Sequence, residues 1–226
     1  MQQADDLIAL ISQNPPKGNQ EDGILWENGS GYSSKKLQTL VQQSQTSEVD
    51  SLICRAWLNL APPKVEFFLW LALLGKLNTK VLLMHKGIRF EGPPTCPFCS
   101  EHSETLDHLL MTCTRSWGIW CELAADFGVA LESKETFKQF FGHWLEVPLT
   151  NKTQRKFWIT SFFAVAWSLW RCRNEIVFQQ QNVEDGVLRY LIRWRIAIWS
   201  KAWKEPLPYT AAEIARNFIS IPELYN

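Results

Sequence analysis

Apolar residues recur every three to four positions along most of the chain, as they do on one face of an α-helix. The longest such stretch runs from about Thr153 to Gln180 and contains fourteen consecutive uncharged residues, Phe157 to Trp170. Fourteen residues are too few to span a bilayer, and the charged residues Lys156 and Arg171 flank them. The pattern therefore predicts a long helix buried in a protein core, with no membrane segment.

Residues that begin and end helices divide the rest of the chain into shorter helical segments. Asp, Thr or Pro precedes the apolar runs, and Gly or Pro follows them. Two short β-prone runs around Asn28-Gly29 predict a hairpin within residues 23–33. The predicted fold is mainly α, a multi-helix domain with a small N-terminal β-hairpin. Further helices are predicted at 51–57, 62–74, 80–86, 105–111, 117–127, 133–147 and 186–204, with a last short helix opening at a capping box, Thr210 to Glu213.

One short segment concentrates residues that bind metals. The segment from Cys96 to Cys113 holds three of the six cysteines and two of the four histidines. Within it, the spacing C-x2-C-x8-H-x4-C is formed by Cys96, Cys99, His108 and Cys113. Two cysteines separated by two residues can direct their sulfurs to one centre, and a short helix capped by Ser103 can carry His108 there and release Cys113. Three thiolates and one imidazole complete a tetrahedron around Zn²⁺ without leaving a position for water, which predicts a structural CCHC zinc knuckle.

Two alternatives to this ligand set remain open. His102 could replace His108 as the nitrogen ligand, but it lies only three residues after Cys99 and would need a cramped loop, so His108 is favoured. The four residues could also be unrelated buried side chains, although their paired spacing is typical of zinc sites.

The remaining cysteines bear on the cellular compartment. They form no disulfide framework, and together with a zinc site they favour a reducing environment. The N-terminus, MQQADDLIAL, has two acids and no basic region, which argues against a signal peptide. We therefore expect an intracellular protein, nuclear or cytoplasmic. The cysteines outside the zinc segment are Cys54, Cys121 and Cys172.

Acidic and basic residues are balanced, with 23 of each, so no overall field draws the chain to nucleic acid or to an anionic membrane. Nucleic-acid binding must therefore depend on local basic groups. One group precedes the zinc segment, and another lies on the helix predicted at 186–204, interleaved with Trp194, Trp199 and Trp203. Basic side chains neutralise phosphates and aromatic rings stack on unpaired bases, which makes both groups candidate contacts for RNA or single-stranded DNA. The basic residues are Lys76, Lys80, Lys86, Arg89, Arg189, Arg193, Arg195 and Lys201.

The same residues also allow other functions. Tryptophans spaced by four and five are typical of a helical core, and basic residues beside them of a solvated face. The 12 tryptophans and 13 phenylalanines also suit a surface that binds another protein, so a protein-interaction module is the alternative function. An enzyme is not predicted, because His85 and His143 have no recognisable partners, Asp5-Asp6 lacks a third acidic ligand, and no phosphate-binding glycine loop occurs.

An ordered series of residues resembles a known domain. Its first part comprises Asp22, Trp26, Gly31-Tyr32-Ser33, Ala56-Trp57, Pro62-Pro63-Lys64-Val65, Phe67-Phe68-Leu69-Trp70, Lys76-Leu77 and Thr79. Its second part comprises Cys96-Pro97-Phe98-Cys99, Glu104-Thr105, His108-Leu109-Leu110, Cys113, Trp117 and Trp120. Over roughly residues 1–125 this series resembles the zinc-binding domain at the C-terminal side of reverse transcriptases in plant LINE-type retrotransposons. The resemblance implies that Zn²⁺ is the cofactor and that its ligands are Cys96, Cys99, His108 and Cys113.

The likeness continues beyond residue 125. A stretch with the pattern W-x2-W-x2-RN-x3-F often follows this zinc domain in the same elements. The present chain resembles it at Trp167, Trp170, Arg173-Asn174 and Phe178. We therefore divide the chain into a reverse-transcriptase-type zinc-binding domain, residues 1–125, and a Trp-rich C-terminal helical region, residues 126–226. Endonuclease, polymerase and RNase H segments are not recognisable, so the resemblance implies a stand-alone, non-catalytic descendant of a retrotransposon polyprotein.

Overall fold

The computed structural model describes residues 12, 33, 50–205 and 207–220, and this part of the chain is mainly helical, as predicted. The hairpin predicted at 23–33 lies outside the described residues, apart from Ser33. Within them, the one extended pairing is an isolated antiparallel bridge between Thr95 and Ser103. The helices are α1 (Ser51–Cys54), α2 (Pro63–Leu73), α3 (Lys80–His85), a π-helix (His108–Thr112), α4 (Thr114–Ala125), α5 (Phe137–Glu146), α6 (Lys152–Gln179), α7 (Asp185–Ser200), α8 (Ala211–Arg216) and a 3-10 turn (Phe218–Ser220).

Helix α6 lies at the centre of these elements and contacts α2, α4, α5, α7 and the π-helix. The Asn151 side chain caps its N-terminus by accepting hydrogen bonds from the N–H groups of Thr153 and Gln154. Seven consecutive residues, 160–166, are buried, so neighbouring helices cover this part of α6 on every side. None of the described helices is long and apolar enough to cross a bilayer.

Three fully buried tryptophans join the helices around α6. The rings of Trp144 on α5 and Trp158 on α6 stack with their centroids 3.7 Å apart and their planes 5° apart. Each indole N–H donates to the backbone carbonyl of the other tryptophan, at 3.0 and 2.8 Å. Trp120 on α4 donates to the Leu110 carbonyl of the π-helix at 2.7 Å. Because each N–H has a partner, these large rings are buried without leaving a polar atom unpaired.

Several helix boundaries differ from the prediction, for local reasons. Helix α1 ends at Cys54 instead of residue 57, because the next N–H groups bond to carbonyls three residues back and Asn59 then adopts a left-handed φ of 55°. Helix α5 begins four residues later than predicted, where Thr136 and Gln139 complete a capping box. Helix α7 ends at Ser200, whose hydroxyl bonds back to a carbonyl of the preceding turn.

One hydrophobic core extends through residues 56–218 of the described chain. Helix α2, which precedes the zinc segment, packs against α6, and so does the π-helix within that segment. The boundary predicted at residue 125 therefore separates two sequence regions that pack against each other. Any site built by the zinc segment is thus supported by the central helix.

Candidate metal centre

A tight knuckle holds the first two predicted ligands. The Cys96 N–H donates to the His102 carbonyl at 2.7 Å, and the Ser100 N–H donates to the Cys96 carbonyl at 2.8 Å. Ser100 adopts a left-handed φ of 59°, which turns the chain back after Cys99. These bonds fold residues 96–102 into a loop closed by the Thr95–Ser103 bridge. The local turn therefore directs both thiols to one side, as their spacing predicted.

A π-helix holds the other two predicted ligands. The Cys113 N–H donates to the His108 carbonyl five residues back, at 2.8 Å, which is the hydrogen bond of a π-helix. Helix α4 then begins directly after Cys113, three residues earlier than predicted. The prediction that Ser103 caps this segment is wrong, because Ser103 lies in the bridge and the Thr105 hydroxyl instead accepts from the His108 N–H at 3.1 Å. The wide π turn places His108 and Cys113 on one side of the chain.

The structure brings four ligand atoms together. The three thiol sulfurs and a ring nitrogen of His108 all lie within 4.8 Å of one another, and Cys99 Sγ lies 3.3 Å from His108 Nε2. Tetrahedral bonds to Zn²⁺ place neighbouring ligand atoms about 3.4 to 3.8 Å apart, so the donors fit such an ion. Cys96 and Cys113 are fully buried. The Thr112 hydroxyl lies 3.4 Å from His108 Nδ1 and can orient the imidazole.

His102 lies beside this group. Its ring stacks on that of His108 with centroids 5.0 Å apart, and its Nδ1 lies 4.0 Å from Cys99 Sγ. Together with Cys99 and the exposed Glu101, the exposed His102 forms a second group of possible ligands, which does not include Cys96 or Cys113. Cys99 is thus the one thiol that both histidines approach, and His108 shares the site with all three cysteines.

The three thiols of the site differ in pKa. The Cys96 thiol hydrogen bonds to Cys113, which lowers the pKa of Cys113 to about 6 and, with burial, raises the pKa of Cys96. Burial alone would raise the pKa of Cys99, but the N–H groups of Glu101 and His102 outweigh it and lower that pKa to about 7. Thiolates are the form that binds metal, so two of the three sulfurs are already poised for it near neutral pH.

A buried ion pair that the sequence analysis did not predict supports the centre. Glu104 Oε1 accepts hydrogen bonds from Arg173 Nη2 and Nε on α6, at 2.7 and 3.1 Å, and from the Lys80 N–H on α3 at 3.1 Å. The side chains of Glu104 and Arg173 are 0% and 4% exposed. Both residues belong to the motifs quoted above, which was the available signal, but no spacing rule connects them.

The basic residues predicted on and after α7 are engaged within the molecule. Arg189 Nε lies 2.6 Å from a carboxylate oxygen of Glu122 on α4. The two side chains form an ion pair, but this N–H makes no hydrogen bond. Arg193 pairs with Asp126 at 2.9 Å. Arg195 donates to the Ser168 hydroxyl at 2.7 Å, and burial lowers the pKa of its guanidinium. Lys201 donates to two backbone carbonyls at 3.0 and 2.7 Å.

The basic residues predicted before the zinc segment form fewer contacts with acidic side chains. Lys80 Nζ donates to the Thr95 carbonyl at 3.1 Å, and Lys86 Nζ donates to Asn78 Oδ1 at 2.8 Å. Lys76 and Arg89 are exposed and form no ion pair within the described part of the chain. Acidic residues on α4 thus neutralise Arg189 and Arg193, whereas no ion pair within the described chain neutralises the basic group before the zinc segment.

Comparison with known proteins bears on the same segment. A family model described as zinc-binding in reverse transcriptase matches residues 32–120. This range covers 89 of the 226 residues and includes Cys96, Cys99, His108 and Cys113. Neither the curated proteins nor the solved structures gave a significant match.

Proposed function

We propose that this chain is a non-catalytic zinc-binding module in which Zn²⁺ stabilises the fold. The observation that carries this proposal is the convergence of three thiols and one imidazole, with two of the thiols fully buried. These donors fill all four positions of a tetrahedral ion, which leaves none for a substrate or a reactive water. Binding at such a site contributes on the order of 10 kcal/mol, comparable with the whole stability of a domain.

The module binds nucleic acid, RNA or single-stranded DNA, and derives from the polyprotein of a plant LINE-type retrotransposon. The match of residues 32–120 to a reverse-transcriptase zinc-binding model supports this origin, as does the ordered motif series that extends to Phe178. Exposed cations before the zinc segment support the nucleic-acid partner. All six cysteines are free thiols, which suits an intracellular protein.

A second candidate function is protein interaction, and exposed aromatic residues outside the zinc segment favour it. Phe178 at the end of α6 is 74% exposed and Tyr190 on α7 is 57% exposed. The Tyr190 ring stacks on Trp194 with centroids 6.2 Å apart, which gives a small aromatic surface of the kind that anchors protein interfaces.

Metal analysis and a salt titration test these functions together. The purified chain should contain one zinc, and a chelator should lower its melting temperature and expose residues 60–125 to protease. Binding of a labelled single-stranded oligonucleotide should weaken steeply as salt rises, because each neutralised phosphate releases counterions. An unchanged melting curve after complete metal removal would refute the structural role of zinc. An absence of oligonucleotide binding at low salt would refute the nucleic-acid function and favour the protein-interaction candidate.

A further inference from the structure

The stretch between Asp50 and Glu91 is strongly cationic within a chain of zero net charge. It contains six Lys or Arg residues and a single acid, Glu66. Glu66 is 3% exposed, and its carboxylate accepts a hydrogen bond from the Leu60 N–H at 3.1 Å. The one negative charge of this stretch is therefore turned inward, and the surface it presents is positive. The basic residues are Arg55, Lys64, Lys76, Lys80, Lys86 and Arg89.

The same stretch presents apolar side chains to solvent. Five of the nine large hydrophobic residues that are exposed in the described chain lie within it. Trp57 is 46% exposed and Phe67 is 49% exposed. Both rings adjoin Trp70, with centroids 6.4 Å away for Trp57 and 5.6 Å away for Phe67, which is nearly parallel to it at 27°. We call these three rings the aromatic cluster.

Two exposed cations lie close in sequence to the aromatic cluster. Lys64 is exposed and lies three residues before Phe67 on α2, so both occupy one side of that helix. Arg55 is exposed two residues before Trp57. Neither residue forms an ion pair within the described part of the chain, in contrast to Arg189 and Arg193 on α7.

We propose that the aromatic cluster and the cations beside it, Arg55 and Lys64, form the surface that binds single-stranded nucleic acid, with Lys76 extending it. This surface rests on the nucleic-acid function proposed above and moves its location from α7 to α2. Unpaired bases stack on Trp57 and Phe67, while the cations neutralise the flanking phosphates.

The chemistry of this surface favours nucleic acid over a protein partner. Protein interfaces surround their aromatic anchors with a mixed polar rim. Here the cations have no ion-pair partner among the described residues, and no acid between Asp50 and Glu91 is exposed. A single strand supplies what both features need, since it has unpaired bases for the rings and a phosphate for each base. A duplex supplies the phosphates but keeps its bases paired, so it should bind more weakly.

Fluorescence anisotropy with the zinc-loaded full chain tests this inference. The probes are a labelled single-stranded pyrimidine oligonucleotide and a duplex of the same length. The variants Trp57→Ala and Phe67→Ala remove rings, and Lys64→Glu reverses a charge. The controls Tyr190→Ala and Arg216→Glu alter an exposed ring on α7 and an exposed cation on α8. Circular dichroism and zinc content establish that each variant is folded.

Each ring variant should weaken single-strand binding by roughly 5- to 100-fold, the effect of losing one stacked base, and should affect duplex binding less. Lys64→Glu should weaken the binding of both probes and reduce the salt dependence of that binding. Tyr190→Ala and Arg216→Glu should bind as the wild type does. If the wild type binds and the ring variants bind equally well, this surface is wrong while the nucleic-acid function stands. If the wild type binds neither probe, the proposed function itself fails and the surface fails with it.

Discussion

Arg173, on the central helix α6, donates two hydrogen bonds to one carboxylate oxygen of Glu104, which lies between the second and third candidate metal ligands. Both side chains are buried, and the guanidinium also lies over the Trp170 ring at 5.0 Å. The same carboxylate oxygen accepts from the first N–H of α3. One buried charge pair thus joins the metal segment to two helices that are distant in sequence.

Replacement of Arg173 by Leu should destabilise the fold by about 3 to 5 kcal/mol, because it leaves the Glu104 carboxylate buried without its counter-charge. Urea unfolding measures the change. The matched control is Arg171→Leu, which breaks an exposed pair with Glu175 on the same helix and should cost less than about 1 kcal/mol. The double variant Glu104→Leu/Arg173→Leu should be more stable than Arg173→Leu alone. Equal effects of the Arg173 and Arg171 variants would contradict a buried-charge role.

Zinc content should distinguish His108 from His102. His108→Ala removes the nitrogen that shares the site with all three cysteines, so zinc should fall well below one per chain. His102→Ala removes a neighbouring, exposed imidazole and should leave one zinc per chain. Elemental analysis of the two purified variants makes the comparison, and loss of zinc from His102→Ala alone would reverse the assignment.

The remaining cysteines should not affect the metal. Cys54 is exposed, Cys121 is half-buried and Cys172 is buried, and none belongs to a group of ligand atoms within the described chain. Their replacement one at a time, Cys54→Ser, Cys121→Ala and Cys172→Ala, should leave zinc at one per chain by the same elemental analysis. A decrease in any of the three would show that the ligand set is misassigned.

Proton release on zinc binding should depend on pH. A thiol with a lowered pKa is a thiolate above that pKa and becomes protonated as the pH falls through it, which occurs at about 7 for Cys99 and about 6 for Cys113. Cys96, whose pKa is raised, keeps its proton in the metal-free chain. Zinc should therefore displace about one thiol proton at pH 8 and about three at pH 5, with weaker affinity at pH 5. Calorimetry in buffers of different ionisation enthalpy counts the protons released, and a release of about three protons already at pH 8 would disprove the shared-proton arrangement.

Replacement of Trp144 by Phe should reduce stability by about 1 to 3 kcal/mol, because the variant loses the indole hydrogen bond to the Trp158 carbonyl and leaves a cavity beside the Trp158 ring. The control is Trp57→Phe, the same change at an exposed ring, which should leave the unfolding free energy nearly unchanged. Thermal and urea unfolding of both variants make the test. A Trp144→Phe variant as stable as the control would show that neither the indole hydrogen bond nor the larger ring contributes to stability.

Local features of the sequence predicted much of this structure. Caps, prolines and apolar periodicity place most of the helices, because each depends on residues within a few positions. The four residues at metal-ligand spacing lie within eighteen positions, so short-range turns suffice to bring them together. The errors arose where two local structures were possible. Thr105 accepts the hydrogen bond predicted for Ser103, and a π turn replaces the predicted α turn at His108.

Only tertiary packing decided which charges and rings are available to a partner. The basic residues of α7 looked as free in the sequence as those near α2, but Glu122 and Asp126 on α4 neutralise Arg189 and Arg193. Glu104 and Arg173 are 69 positions apart, and the periodicity of apolar residues cannot predict a pair at that separation. A side chain's local pattern fixes its helix and its face, whereas the elements that cover that face come from anywhere in the chain. The sequence alone therefore determined the helices and the candidate metal ligands, and the packing around α6 decided which surface of the described chain remains open.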